Sequence, residues 1–197
     1  MRKLIINEFL SLDGVMQAPG APDEDRDGGF EHGGWQLDYF DDMFGEAVVN
    51  GFAETGGFVF GRKTYETFAA YWPTAPKEEQ EVAKPLNALP KYVASRTLKD
   101  PLEWENATVL GGDVAAEVRK LKEQPGKDLA VIGSGELVQT LIENDLVNEY
   151  RLMIHPLVLG GGKKLFRDGN PKRALSLVDS KTTTTGVLIA TYRPAEK

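Results

Sequence analysis

The sequence predicts an α/β protein whose central sheet is mostly parallel and ends in an antiparallel edge near the C-terminus. The first observation is a strand–turn–helix–strand unit at residues 128–155, the arrangement that joins two parallel strands. The second is that two other apolar runs, at 3–10 and 57–60, have the pattern of buried strands. The third is a pair of alternating segments, 173–181 and 183–193, which is typical of antiparallel strands.

The first strand, residues 3–10, is largely apolar and is therefore expected near the centre of the sheet. It ends in the Asp-Gly turn signal of the segment SLDG, which contains Asp13. A long loop rich in glycine, proline and aspartate then continues to about Gly34. Loops of this size in a compact domain are usually functional, so its position after a central strand predicts a flap over a pocket.

Residues 35–50 are predicted to form a helix with an apolar stripe. At 100° per residue, Asp41 falls beside Leu37, Phe44 and Val48, at the edge of that stripe. Two interpretations are open: Asp41 is a boundary residue in water, or it is an acid that faces a cleft. In a cleft, desolvation would raise the pKa of this carboxyl and let it handle a proton near neutral pH.

The buried strand at 57–60 continues directly into a helix that begins with Gly61, Arg62, Lys63 and Thr64 and extends to about residue 71. Two cations at a helix N-terminus are electrostatically unfavourable unless an anion binds there. This favours a phosphate site over the alternative of two exposed basic side chains.

The middle of the chain contains shorter elements. The proline-rich segment 73–90 is predicted to be mainly loop with a surface turn of helix, and a third strand, 91–95, ends at Ser95 and Arg96. A fourth strand is predicted at 108–110, after which Asp113 is expected to cap a helix that extends to about residue 123.

The strand at 129–132 is followed by the glycine turn Gly133, Ser134 and Gly135, and Ser134 is expected to cap the next helix. Backbone N–H groups in such a turn, together with the helix dipole, form an anion site. A dinucleotide fingerprint would need a third glycine where Val138 stands, so a turn that serves only chain geometry is the alternative. Because carboxyl ends of parallel strands meet at one edge, the groups after Phe60, at Ser95 and at Gly133 are predicted to lie together.

Composition excludes several functional classes. The 197 residues, taken as one domain at 1–197, carry a net charge of −7, which disfavours a nucleic-acid surface. The absence of cysteine excludes disulfides and thiolate metal sites, and two histidines are too few for a histidine-rich metal site. No apolar run is long enough to span a membrane, so we expect a cytoplasmic protein with no membrane or nucleic-acid partner.

Several segments resemble a known family. GRKTYETF, KYVASRTL and VIGSGELVQTL are similar to the three cofactor segments of dihydrofolate reductases. SLDG, LVNEYRLMIHPLVLGGGKKLF and the closing strands look more like the reductase domain of riboflavin biosynthesis, the RibD C-terminal domain, in a stand-alone homologue. The resemblance covers nearly the whole chain and implies a dihydrofolate-reductase-like three-layer αβα fold.

The resemblance also implies NADPH as the hydride donor. The residues that it assigns to the 2′-phosphate and pyrophosphate are Gly61, Arg62, Lys63 and Thr64, and those at the adenosine 2′-phosphate end are Ser95 and Arg96. Gly133, Ser134, Gly135 and Glu136 would hold the pyrophosphate and border the nicotinamide. Asp13 would line the substrate pocket, and either Asp13 or Asp41 would assist protonation of a ring nitrogen. A homodimer is also implied, through residues 150–159 or the C-terminal strands.

Three functions are consistent with these residues. The first is an NADPH-dependent reductase of a small pterin-like or pyrimidine-like heterocycle. The second is the riboflavin-pathway 5-amino-6-(5-phosphoribosylamino)uracil reductase, which needs a substrate phosphate site such as Lys163 or Lys164; Ile132, where such enzymes commonly have glutamate, weakens it. The third is a non-catalytic nucleotide-binding protein.

Overall fold

The computed structural model describes residues 1–195; the predicted domain, 1–197, extends two residues beyond that range. Eight strands form one sheet with the order β4-β3-β2-β5-β1-β6-β8-β7. The strands are β1 (Leu4–Ser11), β2 (Thr55–Gly61), β3 (Lys91–Ala94), β4 (Ala107–Leu110), β5 (Asp128–Ile132), β6 (Glu149–His155), β7 (Leu175–Thr182) and β8 (Leu188–Pro194). The first six are parallel, whereas β8 pairs antiparallel with both β6 and β7. The predicted parallel sheet with an antiparallel C-terminal edge is confirmed.

Helices cover both faces of this sheet, which makes three layers. The helices are α1 (Asp42–Gly51), α2 (Arg62–Tyr71), α3 (Gln80–Ala88), α4 (Val114–Glu123) and α5 (Gly135–Glu143). Side chains of α4 and α5 pack with Leu4, Ile6 and Val131, whereas α2 and α3 pack with Phe58 and Phe60. Because successive strand residues face opposite sides, the uninterrupted apolar runs of the central strands supply both cores at once.

The helix predicted at residues 35–50 is wrong over residues 35–41. Phe40 has extended backbone angles, so α1 begins only at Asp42 and a short 3₁₀ turn at Leu37–Tyr39 precedes it. Trp35 is buried instead in the loop, where its indole Nε1 donates to the Gln17 carbonyl at 2.7 Å. Leu37 is exposed, so the apolar stripe on which Asp41 was placed does not exist there.

The proline-punctuated segment at 73–90 contains more helix than predicted. Helix α3 spans nine residues with Pro85 inside it, and Ala83 and Leu86 are buried against the sheet. Tertiary packing of this apolar face outweighs the local proline signal. Within residues 1–195, no helix combines the length and the apolar character that crossing a bilayer requires.

Candidate active site at the carboxyl edge of the sheet

The ends of β3, β2 and β5 lie side by side, as the sequence predicted. The three strands are consecutive in the sheet, and Gly61 pairs with Ala94, the residue before Ser95. On the other side of β2, Val59 pairs with Val131, which places Gly61 beside Gly133. Ligands of open α/β sheets bind at this edge, so the sheet order brings the predicted groups into one crevice.

Two hydroxyl groups tie the ends of β2 and β5 together. The Ser134 hydroxyl accepts from the Gly61 N–H at 2.9 Å and donates to the Ile132 carbonyl at 3.1 Å. The Ser134 N–H donates to the Thr64 hydroxyl at 2.9 Å. Ser134 has left-handed backbone angles and its side chain does not cap α5, so the prediction of a side-chain cap is wrong. These hydroxyls hold the shape of the crevice.

The N-termini of α2 and α5 at this crevice have no side-chain cap. By contrast, α1 and α4 are capped by Asp41 and Asp113, which accept from backbone N–H groups at 2.8 Å and 3.2 Å. Uncapped first-turn N–H groups are available to an anionic ligand, and two neighbouring helices that share one edge supply two sets of them. Gly133, with φ +57°, keeps a Cβ out of this turn. The residues present therefore fit the pyrophosphate of a dinucleotide.

Each cation near these helix ends except Arg96 has an acidic partner. Arg62 pairs with Glu66 at 3.0 Å on the same helix, and Arg167 of the loop after β6 pairs with the predicted Glu136 at 2.6 Å. Among residues 1–195, no ion pair or hydrogen bond holds the exposed Arg96 side chain. Arg96 is thus available to an anionic ligand at this edge without any rearrangement.

The flap (residues 14–34) lies against the predicted phosphate cations. Its Asp27 forms ion pairs with both Lys63 and Lys163, and Asp25 adds a second contact to Lys163 at 2.5 Å. Hydrogen bonds from Lys163 and then Lys63 lower the pKa of Asp27 to about 2. The flap therefore occupies the side-chain contacts that a bound phosphate at Lys63 would take.

A single glutamine fixes the position of the flap. Gln17 is buried; its Nε2 donates to the carbonyls of Asp25 and Asp27, and its Oε1 accepts from the Lys163 N–H at 3.0 Å. A cavity of about 420 Å³ lies between flap residues 27–32 and the segment from Leu159 to Lys163. The flap thus forms one wall of a pocket, as its position after β1 predicted.

Asp13 is a structural anion in this arrangement. Its carboxylate accepts from the Ser11 hydroxyl at 2.6 Å and from the backbone N–H groups of Leu159 and Gly160 at 3.1 and 2.9 Å. The hydrogen bond from Ser11, with those from the backbone, lowers the pKa of Asp13 to about 2. Asp13 therefore joins the end of β1 to the triple-glycine segment in its ionised form.

Asp41 lies at the N-terminus of α1 rather than on a helical face. Besides capping Phe44, it accepts from the Thr184 hydroxyl at 2.6 Å and the Thr184 N–H at 2.8 Å. These hydrogen bonds lower the pKa of Asp41, and the one from the Thr184 side chain has the largest effect. Of the two interpretations of Asp41, the acid in a cleft with a raised pKa is wrong. The participation of Asp13 or Asp41 in proton transfer stays a prediction.

Replacing Asp41 with alanine tests that prediction. Because the carboxylate caps α1 and holds Thr184, we expect Asp41→Ala to lower the midpoint of thermal unfolding by about 3 °C. Turnover of a substrate that the protein reduces should stay within about twofold, because an ionised, hydrogen-bonded acid does not donate protons near neutral pH. Asp113→Ala, which removes the matching cap of α4, is the control. Turnover that collapses in Asp41→Ala but not in Asp113→Ala would restore Asp41 to the mechanism.

The structure also buries, beside the Gly133 turn, a carboxyl group that is not among the predicted site residues. Glu8 of β1 is 5 % exposed, and its Oε1 has no hydrogen-bond partner within residues 1–195. Burial, reinforced by the charge of Glu24, raises the pKa of Glu8 well above its usual range, although a hydrogen bond from the Gly133 backbone opposes the shift. The available signal was a charged residue inside the apolar run KLIINEFL.

Comparison with known proteins places the chain in a family. The model of the RibD C-terminal domain matches residues 2–189. The chain is 39% identical over 137 residues to the uncharacterized protein YyaP of Bacillus subtilis (strain 168), covering 68% of this chain and 71% of that protein. A putative riboflavin biosynthesis protein from Shewanella sp. PV-4 shares the fold with a TM-score of 0.69 at 20% identity, over 98% of this chain and 99% of that one.

Dihydrofolate reductase from Enterococcus faecalis, solved in complex with NADP(H) and RAB-propyl, also shares the fold. Its TM-score is 0.60 at 13% identity, and the alignment covers 98% of this chain and 97% of that one. The expected dihydrofolate-reductase-like fold is therefore confirmed. With a family model that spans nearly all of the sequence and a relative at 39% identity, the chain belongs to the RibD C-terminal domain family.

Proposed function

We propose that the protein is an NADPH-dependent reductase that transfers a hydride to a small pterin-like or pyrimidine-like heterocycle. The observation that carries the proposal is the pair of uncapped helix N-termini, α2 and α5, at neighbouring strand ends. Membership of a family named for the riboflavin pathway, and a fold shared with a dihydrofolate reductase that binds NADP(H), support it.

The chain would bind the cofactor through two kinds of contact, backbone N–H groups and cationic side chains. Reduced nicotinamide, when bound, supplies the hydride. The N–H groups in the first turns of α2 and α5 would hold the pyrophosphate, and Arg62, Lys63 and Arg96 would select the 2′-phosphate. Ser95 accepts from the N–H groups of Thr97 and Leu98 at 3.1 and 3.0 Å, which fixes the turn that carries Arg96. A phosphate at Lys63 competes with Asp27, so binding is expected to weaken the ion pairs of the flap.

Calorimetric titration with NADPH and NADH tests this assignment. We expect NADPH to bind at least about tenfold more tightly than NADH, since one charge-assisted hydrogen bond contributes about 1.5–3 kcal/mol. Arg96→Ala should remove most of that preference and leave NADH affinity unchanged. Lys172→Ala, which removes an exposed cation from the loop between β6 and β7, is the control and should leave both affinities unchanged.

The other outcomes separate the remaining functions. Equal affinities would remove the 2′-phosphate role from Arg62, Lys63 and Arg96 while leaving a reductase that uses either nucleotide. Binding of NADPH without oxidation across a panel of dihydropterins and aminopyrimidines would favour the non-catalytic nucleotide-binding protein. Binding of neither nucleotide would contradict the proposed function.

The phosphoribosylaminopyrimidine substrate of the riboflavin pathway is a second candidate because the cavity beside the triple glycine is bordered by Lys163. However, the Lys163 ammonium is already paired with Asp25 and Asp27, which favours a substrate without a phosphate group. The panel therefore includes 5-amino-6-(5-phosphoribosylamino)uracil and its dephosphorylated form. Faster turnover of the phosphorylated compound, lost in Lys163→Ala, would establish the second candidate.

A further inference from the structure

Glu8 stands where two neighbouring strands part. The last residues that β1 and β5 pair are Asn7 and Ile132, after which β5 turns away at Gly133. Strand β1 continues along β6, where Glu8 pairs with Leu152. The Glu8 carboxyl therefore lies at the mouth of the gap between two parallel strands, on the edge that carries the uncapped helix N-termini.

The environment of this carboxyl favours its neutral form. An ionised carboxylate that is buried without a cationic partner costs several kcal/mol, and such groups hold their proton instead. Glu8 is buried, no cation contacts it within the described residues, and its Oε1 lacks any partner. A neutral carboxyl with an unused oxygen at a ligand crevice is equipped to donate a hydrogen bond or a proton to a ligand.

A second carboxyl, that of Glu24 in the flap, acts on Glu8 through its charge. Glu24 Oε2 accepts from the N–H groups of Gly20 and Ala21 at 2.7 and 3.3 Å, and burial raises its pKa despite these bonds. Within residues 1–195, Glu24 is the side chain whose charge acts on Glu8, and the Gly133 backbone faces Glu8 from the turn after β5. The buried Oε1 of Gln36, which belongs to the same loop turn near Gly20, is also without a partner.

On the basis of the proposed function, we propose that Glu8 delivers the proton to the ring nitrogen of the substrate. The O–H bond of Glu8 breaks as an N–H bond forms on the substrate. The adjacent ring carbon receives the hydride, so that a C=N bond becomes CH–NH and the reduced nicotinamide is oxidised. Glu8 is left as a carboxylate, which takes up a proton from solvent before the next turnover.

The protonation state of Glu8 is measured first, without cofactor. The folded-state pKa of Glu8 lies above its unfolded value of about 4.5, so the folded state binds the extra proton and stability falls as pH rises above about 4.5. We expect Glu8→Gln to remove that fall, so that its urea midpoint exceeds that of the unsubstituted protein at pH 7 but not at pH 4. Glu149→Gln is the matched control.

Glu149 is equally buried in β6, but Arg151 and Arg193 each bind its carboxylate at 2.8 Å. Its substitution is therefore expected to lower the urea midpoint at pH 7, which is the opposite sign. The stability of the unsubstituted protein is compared with that of Glu8→Gln as the pH rises above about 4.5. If the difference between them does not change, Glu8 is ionised in the folded protein and the inference is overturned.

Turnover is measured with the panel compound that the unsubstituted protein reduces fastest. We expect Glu8→Gln to lower kcat by at least about a hundredfold with KM changed by less than about threefold, as removal of a general acid does. Glu24→Gln should move the alkaline limb of the pH profile to lower pH, because it removes the negative charge that raises the pKa of Glu8. A purely structural role for either residue predicts neither result.

These outcomes distinguish the two proposals. If NADPH is oxidised by a panel compound and Glu8→Gln retains kcat within about twofold, this inference fails while the proposed function stands. If the unsubstituted protein binds no nucleotide or reduces no panel compound, the proposed function fails and this inference falls with it. A hundredfold loss together with the stabilisation at pH 7 supports both.

Discussion

Replacing Gly133 with valine is expected to weaken NADPH binding by at least about a hundredfold, equivalent to about 3 kcal/mol. Gly133 has φ +57°, which a β-branched residue adopts only with strain. A Cβ there would lie 3.2 Å from the Thr64 hydroxyl, the group that receives the Ser134 N–H. The substitution therefore both crowds the turn and loosens the link between the ends of β2 and β5.

Gly126→Val separates loss of the site from loss of the fold. Gly126 also has a positive φ, +137°, but it precedes β5 at the opposite edge of the sheet, where its nearest neighbour is the Arg2 side chain. Both variants should unfold at lower urea concentrations than the unsubstituted protein, whereas only Gly133→Val should lose nucleotide affinity in a calorimetric titration. Undiminished affinity in a folded Gly133→Val protein would remove the glycine turn from the proposed cofactor site.

Replacing Lys91 with methionine is expected to lower the free energy of unfolding by about 3 kcal/mol at pH 7, because three carbonyls lose the ammonium as their donor and that of Asn87 keeps just a weaker one, the Asn106 side-chain amide at 3.4 Å. Lys91 is fully buried, and its ammonium donates to the carbonyls of Leu86, Asn87 and Leu89 at 2.8, 3.0 and 2.8 Å. Leu86 and Asn87 lie in the last turn of α3, and Leu89 follows it. The last carbonyl groups of a helix have no N–H donor within the helix. The ammonium also lies 4.6 Å from the centre of the Trp104 ring.

The pH dependence of Lys91 provides a second measurement. Burial lowers the pKa of Lys91 to about 8, below its unfolded value of 10.5. Between those values the unfolded state binds more protons, so stability contributed at this site rises with pH from about 8 to about 10.5. Urea unfolding at several pH values should therefore show the difference between the two proteins growing over that range.

Lys122→Met is the matched control for Lys91→Met. Lys122 is also buried, but its ammonium donates to one carbonyl, that of Leu146, at 2.6 Å. A smaller loss of stability is therefore expected. If Lys91→Met proves as stable as the unsubstituted protein, the helix-end carbonyls do not need this lysine.

The order of elements could be predicted from the sequence because its signals are local. Apolar runs at 57–60 and 129–132 mark strands buried on both faces, and glycine or serine stands at the ends of β2, β3 and β5. Parallel strands necessarily present those ends at one edge, which is why the sequence predicts that Gly61, Ser95 and Gly133 lie together. Helix boundaries were less certain, as the late start of α1 at Asp42 shows.

The use of individual polar groups depended on partners far away in the chain. Asp41 is occupied by Thr184, and Lys163 by Asp27, across separations of 143 and 136 residues. Spacing within a helix cannot indicate such contacts. Asp41 and Asp13 consequently looked equivalent to any other acid near a cleft, whereas the structure shows both held in their ionised forms.

The sequence alone therefore determined the layered α/β fold, the functional edge of the sheet and the glycine turns that shape it, since each follows from local pattern and strand direction. Only the tertiary structure decided which carboxyl group is buried without a cationic partner. In the sequence, Glu8 is simply one charged residue in an apolar strand. In the fold it lies where β1 and β5 separate, and the charge of Glu24 in the flap acts on it. The protonation state of an acid depends on its burial and on the charges near it. Both depend on residues from many parts of the chain.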